Sequence, residues 1–483
     1  IEASGVTFQK VNCTGGVNGI VLNNTGSGFF TVTGTGTTDG TGGTIQNTPD
    51  RGASFIAASN ITLKNMTFTN AGTSDLDATN GGLSTGDNLA TNAAIHLQSV
   101  TTVTLDNIDI TGGAEQGING NVVSDFSLLN STITNVGNEA DEDNIHFFNM
   151  SGTSFITNTI LSHTSGGGDD NLNLQTTSGT LNLTISGGSA IGSGVLANNQ
   201  GSGYLFGIRG TSNATITLNN ASSTNHFSGG IVADAYENSI MNLTVISSTS
   251  SGNNDQLSVS AGDNSKVKLI ATSNTISSVA SADFVGIGLL GSAFDLGFTF
   301  DATFTNNTIT IASGLAADGM VINNAGGGIM RVAVNNNTFD YSGTQRAILV
   351  QAGTDGNGTN SVTLTANNIQ MKSATTNTNP GILAQSAVTG PGNTSSLCLD
   401  IGGTAAALKN TFTHPNGGSI PAGDIRVRQR NDGTMRLPGY GGAASDLAAV
   451  VAYLNGRNVV VSTSTATAAS SGFSGGAACA QPQ

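Results

Sequence analysis

The chain reads as an all-β repeat fold, a parallel solenoid of short strands, and three observations lead there. First, a phrase of one small or polar residue, Ile, Leu or Met, any residue and an apolar or small one recurs down the chain. It occurs as Ala94-Ile-His-Leu97, Gly117-Ile-Asn-Gly120, Asn144-Ile-His-Phe147, Asn171-Leu-Asn-Leu174, Gly207-Ile-Arg-Gly210, Gly230-Ile-Val-Ala233, Gly286-Ile-Gly-Leu289, Gly319-Met-Val-Ile322, Ala347-Ile-Leu-Val350 and Gly381-Ile-Leu-Ala384. Second, a phrase apolar-x-apolar with a following Asn and then Ile or Phe accompanies it, as in Ile61-Thr-Leu-Lys-Asn-Met-Thr-Phe68, Val103-Thr-Leu-Asp-Asn-Ile-Asp-Ile110 and Val332-Ala-Val-Asn-Asn-Asn-Thr-Phe339. Strict alternation of this kind is the period of a strand, not a helix. Third, 67 Gly, no Trp and only 9% charged residues argue against a helical protein and against disorder.

Counting a further copy at Gln256-Leu-Ser-Val259, successive starts of the first phrase lie 23 to 36 residues apart. A spacing that varies while the phrase persists means a constant rung with insertions at its turns. One rung cannot bury its apolar residues alone, and stacked rungs make a continuous interior of aligned Ile, Leu, Val and Phe. Asn at the turns suits this, because it tolerates the left-handed backbone region and can hydrogen-bond to the Asn one rung away.

In chain order, Val6-Thr-Phe8, Gly19-Ile-Val-Leu22 and Phe30-Thr-Val32 enter the repeat at once, with no amphipathic helix before them. An uncapped end would expose strand edges that invite association. The largest insertion is 71–92; its Asp75-x-Asp77-x-x-Asn80-Gly81 is only faintly like a calcium loop, because the closing Glu is missing. The repeat body is expected over 1–438. Residues 439–483 form a cap and a low-complexity tail: Ser445 opens a helix, Leu447, Val450, Val451 and Leu454 give it an apolar stripe, and Gly456 closes it. Just before, Ile425-Arg-Val-Arg-Gln-Arg430 reads as a final strand with Arg426, Arg428 and Arg430 on one face. Of three cysteines, Cys398 and Cys479 could pin the tail to the body, leaving Cys13 unpaired; three free thiols are the other reading.

A rung of this size, with two or three short strands and Asn and Gly turns, resembles the right-handed parallel β-helix of pectate-lyase-like proteins, phage tailspikes and many bacterial surface proteins. The resemblance implies about fourteen rungs and one short C-terminal capping helix. The ending, with Val427-Arg-Gln-Arg430, Arg436-Leu-Pro-Gly-Tyr-Gly-Gly442 and Gly475-Gly-Ala-Ala-Cys479, is similar to the ends of large secreted bacterial β-strand-repeat proteins. That similarity implies an extracellular or cell-surface product without assigned enzymatic activity.

Chemistry is sought on the residue after each Ile or Leu, which gives the column His96, Asn119, His146, Asn173, Arg209, Val232, Ser258, Gly288, Val321, Leu349 and Leu383. Its second half is largely apolar, so the tail or another chain is expected to cover it. Just before the strands, Asp143 and Asp170 share one place on adjacent rungs, with Glu142 and Asp169 beside them. Like charges so stacked repel unless a cation or a raised pKa relieves them. Glu142, Asp143, Asp169 and Asp170 are therefore the candidate calcium ligands, and Asp143, Asp170, His146 and Arg209 the candidate catalytic set of a polysaccharide lyase or hydrolase. The competing reading has these Asp side chains capping the turn backbone. Against catalysis, the galacturonase motifs are missing except Asp169-Asp170, and without Trp there is no obvious sugar-stacking platform.

A net charge of −15 and a pI near 4.4 disfavour nucleic acid and anionic membranes as partners. The nearest thing to a membrane span, Val285 to Phe300, is interrupted by Asp295 and glycines. The expected function is a non-enzymatic structural or adhesive solenoid outside the cell, self-associating end to end as a fibre subunit or binding a cell-surface glycan, with no cofactor beyond calcium. A polysaccharide-active enzyme and a phage-like tailspike are the alternatives.

Overall fold

A computed structural model describes residues 1–74, 92–138, 142–163, 168–193, 201–278, 285–292, 297–469 and 471–483. The faint calcium loop around Asp75 lies outside these residues. The chain forms two compact units, Ile1–Val232 and Ala233–Gln483. Both are parallel β-solenoids, with about 11 turns in all. This is fewer than the roughly fourteen rungs the phrases suggest.

In the first unit the long strands Ala93–Asp106, Gln116–Leu129 and Ile145–Thr157 each run along two sides of a turn. They bend at left-handed residues, Ser99 and Thr102 in the first and Val122 and Asp125 in the second. Register is in step: Ile95 pairs with Ile118, Ile118 with Ile145, Ile145 with Leu172 and Leu172 with Tyr204. These side chains are buried, and each contributes about 1.5–3 kcal/mol by leaving water. A third side is made of short strands such as Asp109–Thr111, Thr132–Thr134 and Ile160–Ser162.

The second unit repeats the scheme with separate strands for each side. Leu257, Ile287, Met320, Ile348, Ile382 and Ile425 stack on one side. Phe300, Met330, Asn360 and Leu397 follow one another on the next. On the turn before the third side stands a buried asparagine ladder. Each side-chain carbonyl of Asn307, Asn337, Asn367 and Asn410 accepts both the backbone N–H and the amide N–H of the preceding Asn, at 2.8–3.2 Å. Asn410 donates onward to Asn458 at 2.9 Å, and Asn458 to the carbonyl of Leu454 at 2.8 Å, so the ladder ends on the helix.

That helix, α1, spans Leu447–Arg457. Its start is capped by Asp446, whose carboxylate accepts from the Ala449 N–H at 3.0 Å, in place of the expected Ser445. Gly456 lies inside it; the C-cap is Asn458. The residues after it are more ordered in pattern than their composition suggests, with strands at Thr465–Thr467 and Phe473–Ser474 that pair with Ile425–Gln429 and Thr434–Arg436. Cys398 and Cys479 form a disulfide, and Cys13 is free. Ala477, Cys479 and Gln481 reach Arg436, Cys398 and Thr363. The apolar column Val321, Leu349 and Leu383 packs with Val285. No described helix is long and apolar enough to cross a membrane.

Candidate functional site

The turns at Glu142–Asn144 and Asp169–Asn171 lead into two adjacent strands of the first unit. Their backbones are coupled: Asn144 N–H donates to the Asp170 carbonyl at 3.1 Å, and Asp169 N–H to the Glu142 carbonyl at 2.7 Å. The side chains continue this coupling. Gln116 Oε1 accepts the Asp143 N–H at 2.5 Å, Asp143 Oδ1 accepts the Asp170 N–H at 2.9 Å, and Asp170 Oδ1 accepts the Ser202 N–H at 2.5 Å. Each acceptor therefore caps the same residue one turn on. The device recurs in the second unit, where Asp255 caps Val285 at 3.2 Å and Asp318 caps Arg346 at 2.9 Å.

The other oxygen of Asp143, Oδ2, meets His146 Nδ1 at 2.8 Å, with the ring as donor. Asp143 is 1% exposed, Asp170 3% and His146 9%. Burial pushes the His146 ring down to about 4, so it is neutral at pH 7. Burial raises the Asp170 carboxyl well above the ordinary carboxylate range, and the negative neighbours Asp169 and Asp143 raise it further. One oxygen each of Asp143, Asp169 and Asp170 lie within 4.8 Å of one another. Such hard oxygen donors suit calcium, which takes six to eight of them. Both oxygens of Asp143 and one of Asp170 already accept hydrogen bonds from protein partners, so an ion would share these oxygens with the backbone and His146. Glu142 turns aside: its Oε2 accepts the Asn138 N–H at 2.5 Å.

His96, Asn119, His146 and Asn173 do share one column, as expected. All four are buried, so this stretch is not an open face. Burial, and then the charge of Arg51, push His96 down to about 3. Arg209 is not in the column: the residue facing Asn173 is Leu205, and Arg209 follows the end of the strand Tyr204–Ile208. Gly207-Ile-Arg-Gly210 imitates the repeat phrase, while the true rung places Tyr204 and Phe206 inward, where the phrase leads one to look for Ile.

A second constellation escaped the sequence reading. Ser223 Oγ lies 3.1 Å from His226 Nδ1, and His226 Nε2 lies 2.5 Å from Asn171 Oδ1. The order hydroxyl, imidazole, amide is that of a nucleophile and its base, but all three are buried and Gly203 closes over the hydroxyl. Its role is to satisfy interior polar groups. Its only sequence signal was a His in a chain with five of them.

The histidines make the first unit acid-sensitive. His96, His146 and His163 are held at about 3, 4 and 4, below the ordinary 6.5. Below pH 6.5 the unfolded chain takes up protons that the folded chain refuses, so stability falls from about pH 6.5 towards 4. Asp170 acts in the opposite sense, since its raised carboxyl favours the folded state as pH drops. Three histidines at about 1–2 kcal/mol each are set against two raised carboxyls, Asp170 and, less buried, Asp109. The urea midpoint of the first unit's transition is expected to be lower at pH 5 than at pH 7; a higher one would mean that the carboxyls dominate.

Comparison of the chain with protein-family models, with curated proteins and with solved structures finds no match.

Proposed function

We propose that the chain is a non-enzymatic β-solenoid of the cell exterior, acting as a structural or adhesive surface element. The observation that carries this reading is the state of the acidic pair. Asp143 and Asp170 are buried and already hydrogen-bonded to the backbone of the next turn, which is an architectural task and leaves a glycan no approach. The Cys398–Cys479 disulfide supports an oxidising compartment, such as that of a secreted bacterial protein. Exposed Val6, Phe8, Val17, Val21 and Phe29 supply an apolar surface in the first turns for association with another copy, as in a fibre.

The second reading, a polysaccharide-active enzyme, is favoured by one observation: a carboxyl raised well above its ordinary range, Asp170, beside the Asp143–His146 pair. A panel of neutral and acidic glycans, incubated with the protein with and without calcium, separates the two. No product is expected. Glycan cleavage that disappears in Asp143→Asn would replace the scaffold reading by the enzymatic one. Electron microscopy of the same preparation tests assembly, with axially repeating filaments expected and monodisperse particles removing the fibre.

A further inference from the structure

Seven arginines lie in the second unit, and four of them have defined partners. Arg331 pairs with Asp301 at 2.5 Å, Arg346 with Asp318 at 2.7 Å and Arg457 with Asp400 at 2.6 Å; Arg436 donates to the carbonyl of Ala477 at 2.8 Å. Arg426, Arg428 and Arg430 differ. Among the described residues none of them forms an ion pair, in a chain whose acidic residues outnumber its basic ones by 30 to 15. They alternate along the strand Ile425–Gln429 and the residue after it, so their side chains leave on one side. We propose that this row of guanidinium groups binds sulfate or phosphate groups carried on an acidic glycan.

The Nε atoms of Arg426 and Arg428 are shut off from solvent without a hydrogen-bond partner. A buried donor left unmade is costly, and a partner ion is one of its ordinary explanations. Burial, and then the charges of Arg426 and Arg430, hold Arg428 below its usual basicity, and no carboxylate contributes to its shift. An oxyanion would relieve both conditions, because a guanidinium offers a planar fork that matches two oxygens of a sulfate or phosphate. Alternate residues of a strand are about 6.6 Å apart, so the row extends over roughly 13 Å. That is a reach for several groups on one polymer. A glycan is favoured over nucleic acid because a saccharide chain can carry a few sulfate or phosphate groups on otherwise neutral units, whereas every nucleotide is charged and a net charge of −15 repels so dense a strand. The inference goes beyond the scaffold reading and does not depend on it, since an enzyme could carry the same site.

Fluorescein-labelled dextran sulfate of low sulfation, with neutral dextran as control, tests this by fluorescence anisotropy. The sulfated polymer is expected to bind and the neutral one not. Arg426→Gln, Arg428→Gln and Arg430→Gln together should weaken binding at least tenfold, and the three Lys substitutions should recover only part of the loss. Lys266→Gln with Lys268→Gln, an exposed basic pair elsewhere on the unit, should change affinity less than twofold. Equal weakening by this control, or none by the triple variant, overturns the site. Inorganic sulfate competing as well as polymer sulfate, or a DNA oligonucleotide binding as tightly through the same arginines, overturns the assignment to a glycan. Should circular dichroism show the triple variant unfolded, Arg428→Gln alone must give at least a threefold loss for the site to stand.

Discussion

Asn337→Ala is expected to lower stability by about 3–5 kcal/mol. Asn337 is 1% exposed and stands in the middle of the ladder. Its Oδ1 accepts from the Asn307 backbone at 2.9 Å and from the Asn307 amide at 2.8 Å. Its Nδ2 donates to the carbonyls of Phe304 and Asn335, both at 3.0 Å, and to Asn367 Oδ1 at 3.2 Å. Alanine removes all of these at once and leaves a buried N–H of Asn307 and a buried carbonyl of Phe304 without partners, at about 1–3 kcal/mol each. The neighbouring Asn336 is the contrast. It sits at φ 55 and makes an exposed contact with Asn306, so Asn336→Ala should cost only about 1 kcal/mol, for the left-handed backbone. Urea unfolding of both variants measures the difference. Equal, small shifts would mean that the ladder is decoration on a core held by Phe304, Val334 and their neighbours.

The ladder also shows what could be read from the chain before its structure. The recurring turn Asn, the alternation around it and the register of Ala94, Gly117, Asn144 and Asn171 were all legible, because a solenoid repeats one local solution and each copy checks the others. Legibility failed where the repeat was disguised or where tertiary context decided. Tyr204 and Phe206 fill inward places in aromatic form, so the phrase at Gly207 drew the alignment four residues on and carried Arg209 with it. Capping by Asp143 and Asp170 was foreseen from their place before a strand. The burial of His96 and Asn119 was not, since alternation tells which way a side chain points and says nothing of what lies over it. Thr465–Thr467 looked like low complexity because a strand that joins an existing edge draws its hydrogen bonds from the backbone of Arg426 to Arg428, and side chains leave little trace of that.

Breaking the Cys398–Cys479 disulfide, by Cys398→Ser with Cys479→Ser, is expected to destabilise the end of the second unit by about 2–4 kcal/mol. The cross-link closes 81 residues of sequence, a loop whose closure entropy alone is about 4.5 kcal/mol in the chain-entropy description. Beyond the strand Phe473–Ser474 few other bonds hold the end of the chain. Arg436 reaches the Ala477 carbonyl at 2.8 Å, Gln481 reaches Thr363 at 2.8 Å, and the last backbone bond is Gly439 N–H to the Gly476 carbonyl at 3.3 Å. Helix α1 is anchored separately, through Arg457 to Asp400 at 2.6 Å and to the carbonyls of Ile401 and Gly402 at 3.1 and 2.8 Å. Each turn of a solenoid touches only its neighbours, so the loss should stay local. Hydrogen exchange should therefore quicken over 471–483, less over α1, and hardly at all around Asn307 and Asn337. Faster exchange throughout the unit would mean that its turns unfold as one body, and the stability measured for Asn337→Ala would then belong to the whole unit and not to the turns beside it.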